Sequence, residues 1–300
     1  MPQKQEIADW FRTLQKEICT ALEKEDGKGK FKEDSWDRPG GGGGHTRVLT
    51  GGDVIEKGGV NFSAVHGELP ENIKQALDVK GSNFYATGIS IVIHPYNPHV
   101  PIIHMNTRYF EIDDGTYWFG GGIDLTPHYV NSKQAAHFHK SIKSVCDRHD
   151  KTYYPRHKKT ADEYFFIKHR NETRGVGGIF FDRMTNSPTT DKKAVFNYVK
   201  DVGKLFAPVY TRYMADSKDK PFTDKQKKWQ LLRRGRYVEF NLVYDKGTKF
   251  GLHTSGRIES ILMSLPKMAS WEYDFNPEPG SEEEKTLQFL RKDVDWLNLG

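Results

Sequence analysis

Two short stretches constrain the fold more than anything else in the chain. Gly88 to His94 and Ile102 to Tyr109 each alternate apolar and polar side chains with a period of two, separated by a loop from Pro95 to Pro101. Side chains alternate faces along a strand, so Ser90 and His94 share one face while Ile89, Ile91 and Ile93 share the other. In the second stretch His104, Asn106 and Arg108 fall together, opposite Ile103, Met105, Thr107 and Tyr109. Neighbouring strands of this kind are half-buried and present a polar wall. A wall turned only to solvent is usually built from Lys, Glu and Thr. Two histidines, an amide and an arginine mark this one as a candidate site.

The next strand extends the case. Asp114-Gly115 is a tight-turn pair, and Tyr117-Trp118-Phe119-Gly120-Gly121-Gly122-Ile123-Asp124 returns from it. Three glycines weaken a strand and are kept where another group approaches the backbone closely or where the strand bulges. A regular two-residue hairpin opposes Arg108 to Gly121 and sends Asp124 to the other face. Asp124 therefore joins the wall only if the glycines shift the register.

The rest of the chain surrounds these strands with helices. Ile7, Trp10, Phe11, Leu14, Ile18 and Leu22 form one apolar stripe, and the glycine-rich stretch that follows is expected to end that helix. Gly40 to Gly44, followed by His45, Thr46 and Arg47, lacks the lysine and the leading strand of a phosphate-binding loop. Arg47 to Tyr129 reads as antiparallel strands. Helical patterns then cover Ser132 to Arg148, Ala161 to Arg170 and Asp191 to Met214, the last with Pro208 as a kink. A further helix is expected from an N-cap at Thr223 to a C-cap at Gly235, leading into a strand from Arg236 to Tyr244. There is no internal repeat and no linker. The reading is one α+β domain over residues 1–300, with 1–35 an N-terminal helical segment and a large, mostly antiparallel sheet covered by helices on both faces.

Lys and Arg exceed Asp and Glu by 45 to 40, too small an excess for a nucleic-acid binder but of the sign that suits an anionic small molecule. No apolar run is long enough to span a membrane and no signal peptide is legible. Two cysteines, Cys19 and Cys146, make neither a disulfide framework nor a zinc site, so the expected compartment is the reducing cytoplasm. Helical phase turns His139 inward with Ala135, Ile142 and Cys146, turns His137 outward, and puts His169 on an aromatic face with Phe165 and Phe166. No metal-binding spacing links these histidines with His94 and His104.

From Trp36 to Trp296 the chain resembles the oxygen-dependent coproporphyrinogen-III oxidases. The resemblance is carried by Ile93-His94-Pro95, by Trp118 to Gly122 continuing to Asp124-Leu125-Thr126-Pro127, and by Arg174-Gly175-Val176-Gly177-Gly178-Ile179-Phe180-Phe181-Asp182. It continues through Gly235 to Leu242, Gly247 to Leu252 and Arg257 to Pro266. It implies oxidative decarboxylation of two propionates of coproporphyrinogen III to vinyl groups, giving protoporphyrinogen IX, with dioxygen as co-substrate and no organic cofactor. It also implies a homodimer with its active site in a cleft, and a divalent metal ascribed to His94, His104, His139 and His169.

Carried onto this chain, the resemblance makes His104 the proton donor. Ser90, Asn106, Thr107, Arg108, Ser255, Gly256 and Arg257 become substrate-binding positions, and Asp124 and Asp245 the carboxylates of substrate handling. Arg108 stands with His104, Asp124 and Asp245 in the catalytic set, and Arg108 and Arg257 can each grip a propionate through two parallel hydrogen bonds. Ser255 stands where bacterial relatives commonly have glycine, and Lys246 where arginine often follows the aspartate. Two other readings stay open: an obligate histidine-metal oxygenase or hydrolase, and a non-catalytic tetrapyrrole carrier.

Overall fold

The N-terminal stripe forms helix α1 (Lys4–Asp26), which buries Ile7, Phe11, Leu14, Ile18 and Leu22. In this computed structural model, which describes residues 1–71, 74, 75, 79–253 and 256–299, the helix stops at Gly27, whose φ of 85° closes the last turn. The glycine-rich stretch does not end it, contrary to expectation. Gly42 to Gly44 instead opens a strand, where a Cβ on Gly43 or Gly44 would collide with the carbonyl of Trp36 or Phe62.

The strands are β1 (Lys32–Asp37), β2 (Gly42–Thr50), β3 (Ile55–Glu68), β4 (Asn83–Pro95), β5 (Ile102–Ile112), β6 (Tyr117–Thr126), β7 (Phe166–Ile167), β8 (Glu172–Thr173) and β9 (Gly178–Met184). Among the described residues, seven of them form one antiparallel sheet in the order β1-β2-β3-β4-β5-β6-β9, and β7 pairs with β8 in a small ribbon. The helices after the sheet's central strands are α2 (Ser132–Asp147), α3 (Tyr153–Tyr164), α4 (Lys192–Ser217), α5 (Asp224–Glu239), α6 (Lys246–His253), α7 (Ile258–Leu262) and α8 (Glu282–Phe289).

One face of the sheet is apolar throughout. Ile89, Ile91, Ile103, Met105, Phe119 and Ile123 point from it into a core shared with α1, α2 and α4. Each such side chain contributes about 1.5–3 kcal/mol on burial, so this face accounts for much of the fold's stability. The opposite face is polar and is covered only in part, by α5, by a π-helical turn at Phe240–Tyr244 and by α7. The α+β class and the helices on both faces follow the sequence reading.

Two helix boundaries differ from it. The helix expected over Ala161 to Arg170 is α3, which ends at Tyr164 and gives way to the β7–β8 ribbon. The strand expected from Arg236 to Tyr244 is helical, because Gly235 does not cap α5 but lies mid-helix, where a Cβ would meet the Ser270 carbonyl. Arg233, Arg234, Tyr237, Phe240 and Asn241 are buried at three- and four-residue steps, a helical period that the β-prone composition masks. Thr223 does cap α5, in a reciprocal capping box with Gln226. Asp191 caps α4, which runs on through Pro208 to Ser217.

The end of α1 is tied to the sheet by Asp26, a buried carboxylate that accepts backbone N–H groups from Gly29 at 2.6 Å, Val54 at 3.0 Å and Ile55 at 2.7 Å. Burial acts to raise its pKa, but these donors outweigh burial and hold it below the ordinary aspartate value. With the folded pKa depressed, the stabilisation is whole above the unfolded-chain value and is lost as pH falls through the folded one. Asp26→Asn should lower the unfolding free energy by about 1–3 kcal/mol at neutral pH. In urea titrations the gap to the parent protein should shrink below about pH 4, and a gap unchanged in strong acid would contradict this assignment.

Candidate active site

The polar wall is assembled by the register between β5 and β6. His104 pairs directly with Asp124, Asn106 with Gly122 and Arg108 with Gly120. Arg108 was expected opposite Gly121, so the register is shifted by one residue and Asp124 joins the wall. The glycines are not the cause. The connection is a three-residue loop, Asp113-Asp114-Gly115, closed by the Ile112 N–H on the Thr116 carbonyl at 2.8 Å, with Gly115 at a φ of 89°. Asp113 accepts N–H groups from Ser82 and Asn83, and Asp114 accepts one from Thr116, which pins the loop.

His104 Nδ1 donates to Asp124 Oδ1 at 2.7 Å, leaving Nε2 as the ring nitrogen available to a substrate. Asp124 is 2% exposed and does not line the open face. Both of its oxygens accept from Arg174 Nη2, at 2.8 and 2.7 Å. Burial acts to raise the Asp124 pKa, but the Arg174 charge and the His104 hydrogen bond prevail and keep it below the usual aspartate range. The carboxylate expected to face a substrate thus stands behind the histidine and orients it.

A second carboxylate takes a more open position. Asp245 accepts the Tyr164 hydroxyl at 2.8 Å and the Thr248 N–H at 2.6 Å. Burial again acts to raise its pKa, while the Thr248 and Tyr164 donors and the nearby His104 lower it. Tyr164 stacks on Phe180, which lies on β9 opposite Gly122, so Asp245 is carried on the β9 side of the wall.

The wall continues across four strands as Thr46, Asn61, Ser90 and Asn106, each opposite the next. Three strand spacings of about 4.8 Å make this row roughly 14 Å wide. At one end Arg108 donates to Asn106 Oδ1 at 3.0 Å and to Asp182 Oδ1 at 2.8 Å, and a Cβ on Gly120 would press into that pair. At the other end Arg257 donates to Ser260 Oγ at 3.1 Å, to Thr46 Oγ1 at 3.5 Å and to Asp34. Gly256 precedes it, with its N–H on the Gly251 carbonyl. Ser255 lies outside the described residues. Thr107 is a correction: it is buried on the apolar face, and its side chain does not reach the wall.

The sequence reading missed the roles of Arg174, Asn241, Tyr164 and Asp182. Asp182 and Asn241 stood in the runs that carry the resemblance, and Arg174 left a physical signal besides, an arginine set before Gly175-Val176-Gly177-Gly178, a run in which a chain must pack closely against another backbone. A groove of about 790 Å³ between α2 and α4, lined by Lys133, His137, Lys140 and Lys204 among others, shares no residue with the wall.

The four histidines do not fit a metal. His139 is buried as expected, but Nδ1 accepts the Tyr154 hydroxyl at 3.0 Å and Nε2 donates to the Val176 carbonyl at 2.9 Å. Burial pushes its pKa down to about 3. His94 is likewise pushed down to about 3 by burial and the Arg234 charge, and its Nε2 donates to the Ser264 carbonyl at 2.8 Å. His169 is held by Tyr244 and Glu239. Among the described residues, no group of three or more His, Cys, Asp or Glu side chains is arranged to hold a metal ion. Titration with Mn2+ or Zn2+ should therefore find no one-to-one site that His139→Gln removes. A stoichiometric site lost in that variant would restore the metal reading.

Histidine backed by a buried carboxylate, with guanidinium groups at both ends of a polar row on an antiparallel sheet, is an arrangement suited to acid-base chemistry on an anionic molecule in an α+β enzyme. A family model described as coproporphyrinogen III oxidase matches residues 6–296. The chain is 53% identical over 298 residues to the oxygen-dependent coproporphyrinogen-III oxidase of Drosophila melanogaster, covering 95% of this chain and 76% of the relative. It is 49% identical over 302 residues to the chloroplastic enzyme of Nicotiana tabacum, covering 95% and 75%, and 50% identical over 302 residues to that of Glycine max, covering 96% and 78%. The chain belongs to the coproporphyrinogen III oxidase family.

Proposed function

We propose that this protein catalyses the oxygen-dependent conversion of two propionates of coproporphyrinogen III to vinyl groups, giving protoporphyrinogen IX. The observation that carries the reading is the polar row of Thr46, Asn61, Ser90 and Asn106, with a guanidinium at each end and His104 beside it. Relatives named as oxygen-dependent coproporphyrinogen-III oxidases support the substrate and the co-substrate.

Each turnover of one propionate balances as R–CH2–CH2–COO− + O2 + H+ → R–CH=CH2 + CO2 + H2O2. The bond to the carboxylate breaks and its electron pair becomes the new double bond, while the β-hydrogen leaves with two electrons that dioxygen accepts. The protein's task is to hold a flat, four-carboxylate molecule with one propionate β-carbon toward oxygen, and to move protons. Arg108 and Arg257 grip propionates through paired N–H donors, and Ser90 and Asn106 contact the ring between them. His104, held through Nδ1, exchanges a proton at Nε2 with a pyrrole nitrogen or with reduced oxygen. Asp245 balances positive charge that develops on the pyrrole.

Neither rival reading has a specific observation in its favour. The histidine-metal reading lacks a donor set, since His139 has both ring nitrogens engaged by the protein. A carrier has no use for a histidine backed by a buried carboxylate. Incubation with coproporphyrinogen III and oxygen should yield protoporphyrinogen IX and hydrogen peroxide, and no turnover by folded protein would refute the assignment. His104→Asn should lower kcat by about 10²–10⁴-fold. Arg108→Ala should lower kcat/KM by about 10–100-fold, the loss of one charge-assisted pair.

We further propose a homodimer working in the cytoplasm. Both cysteines are free and buried, which suits a reducing compartment. For the dimer, Leu242, Val243, Ile258, Met268, Trp271 and Tyr273 are all exposed within one stretch of chain, Ile258 to 58% and Trp271 to 52%. Exposed apolar side chains of this size suit a protein interface, and β1 forms an outer edge of the sheet. Sedimentation should give twice the chain mass, and Ile258→Asp with Trp271→Asp should shift it toward the single chain. A parent protein that sediments as a monomer would end the dimer proposal.

A further inference from the structure

Arg174 makes no contact with the open face, yet it is a fully enclosed charge beside it. Its guanidinium is 3% exposed at the residue level and sits within an aromatic cage, with its central carbon 4.4 Å from the Phe165 ring centre and 4.7 Å from those of Tyr237 and Phe240. Nη2 reaches both oxygens of Asp124, and Nη1 donates to Asn241 Oδ1 at 3.0 Å. Taking a guanidinium and a carboxylate out of water costs several kcal/mol per ion, and apolar side chains of similar volume generally stabilise such a place as well or better. Stability alone is therefore a poor explanation for an ion pair here.

The backbone is shaped to bring this side chain in. The Val176 N–H donates to the Leu125 carbonyl at 3.0 Å and the Leu125 N–H donates to the Gly177 carbonyl at 3.1 Å, so the segment lies directly against the end of β6. A Cβ on Gly175 or Gly178 would collide with the Leu125 or Ile123 carbonyl. The glycine run thus permits the approach that carries Arg174 to the carboxylate of Asp124.

The consequence falls on His104. Asp124 Oδ2 faces Arg174 alone, while Oδ1 is shared between Arg174 and His104 Nδ1. A carboxylate gripped in this way cannot swing, and it offers the imidazole only one acceptor in one direction. We propose that Arg174 is a positioning residue for the oxidative decarboxylation, acting through Asp124 to fix the orientation of His104 and its Nδ1–H tautomer. The proposal rests on the functional reading above for its chemistry, but its structural half stands apart from the substrate's identity.

Three measurements test it together. Arg174→Met fills the aromatic cage without charge, and with coproporphyrinogen III it should lower kcat by about 10–100-fold while KM stays within about threefold. Adding Arg174→Met to Asp124→Asn should cause no further loss of kcat, because the two act in series. The 15N spectrum of the imidazoles, assigned with His104→Asn, should show Nδ1 protonated in the parent protein and the two tautomers mixed in Arg174→Met. Unchanged kcat in folded Arg174→Met, additive losses in the double variant, or an unaltered tautomer would each overturn the proposal. If Arg174→Met fails to fold, Arg174→Lys carries the same three measurements, since it keeps the charge but loses the second arm of the fork. Absence of turnover in the parent protein would refute the substrate assignment, and the tautomer measurement would still decide the role of Arg174.

Discussion

The pairing of His104 with Asp124 is the constraint on which the site depends, and it is set far from the site, in the turn. A sheet has a side-chain period of two, so a connection one residue shorter would leave Arg108 opposite Gly121 and turn Asp124 into the apolar core. An uncompensated carboxylate among Ile103, Met105 and Ile123 would cost several kcal/mol, so the core and the site enforce the same register. The Asp113-Asp114-Gly115 loop chooses it locally, and the sorting of apolar side chains makes any slip unfavourable.

The same alternation divides the labour between the two faces. The apolar face is covered by α1, α2 and α4 and stabilises the protein. The polar face buries charges at a cost, and three buried ones among the described residues have named partners: Asp124 has Arg174, Arg234 has Glu56 and the Pro95 carbonyl, and Arg233 has Glu172. This is a face that destabilises if one partner is removed and gains little from being ionic at all, which is the signature of groups retained for position.

Much of this was legible in the sequence, and the failures have physical causes. The period-two alternation in β4 and β5 identified both strands and the polar wall, because side-chain direction along a strand follows from geometry alone. The register was not legible, because Asp114-Gly115 is an acceptable two-residue turn and Asp113 betrays itself only through backbone groups at Ser82 and Asn83. Residues 236–244 misled because Tyr, Val and Phe favour strands, while the helical period of their burial depends on what α5 packs against. His139 was rightly turned inward by helical phase, yet inward is not the same as free: Tyr154 and Val176, which use up its nitrogens, come from elsewhere in the fold. Arg174 was seen as part of a motif, but its partner Asp124 lies 50 positions away in the chain and is reached only through the fold.

One further property of the wall follows from these pairings. Arg108 and Arg257, the guanidinium groups that the proposed reaction assigns to propionates, are already occupied by carboxylates, Asp182 and Asp34. Arg108 is 37% exposed and Asp182 46%, so the pair is solvated and worth at most about 1 kcal/mol. An arriving propionate then exchanges one carboxylate for another and leaves Asp182 in water, where it is well accommodated. The arginines are held in place without being held against the substrate. The buried pair of Asp124 and Arg174 is the opposite case, both side chains being 2% exposed, and nothing from solvent can take either place. Exchangeable pairs thus stand where the proposed substrate would bind and release, and a fixed pair stands behind the proposed acid-base group.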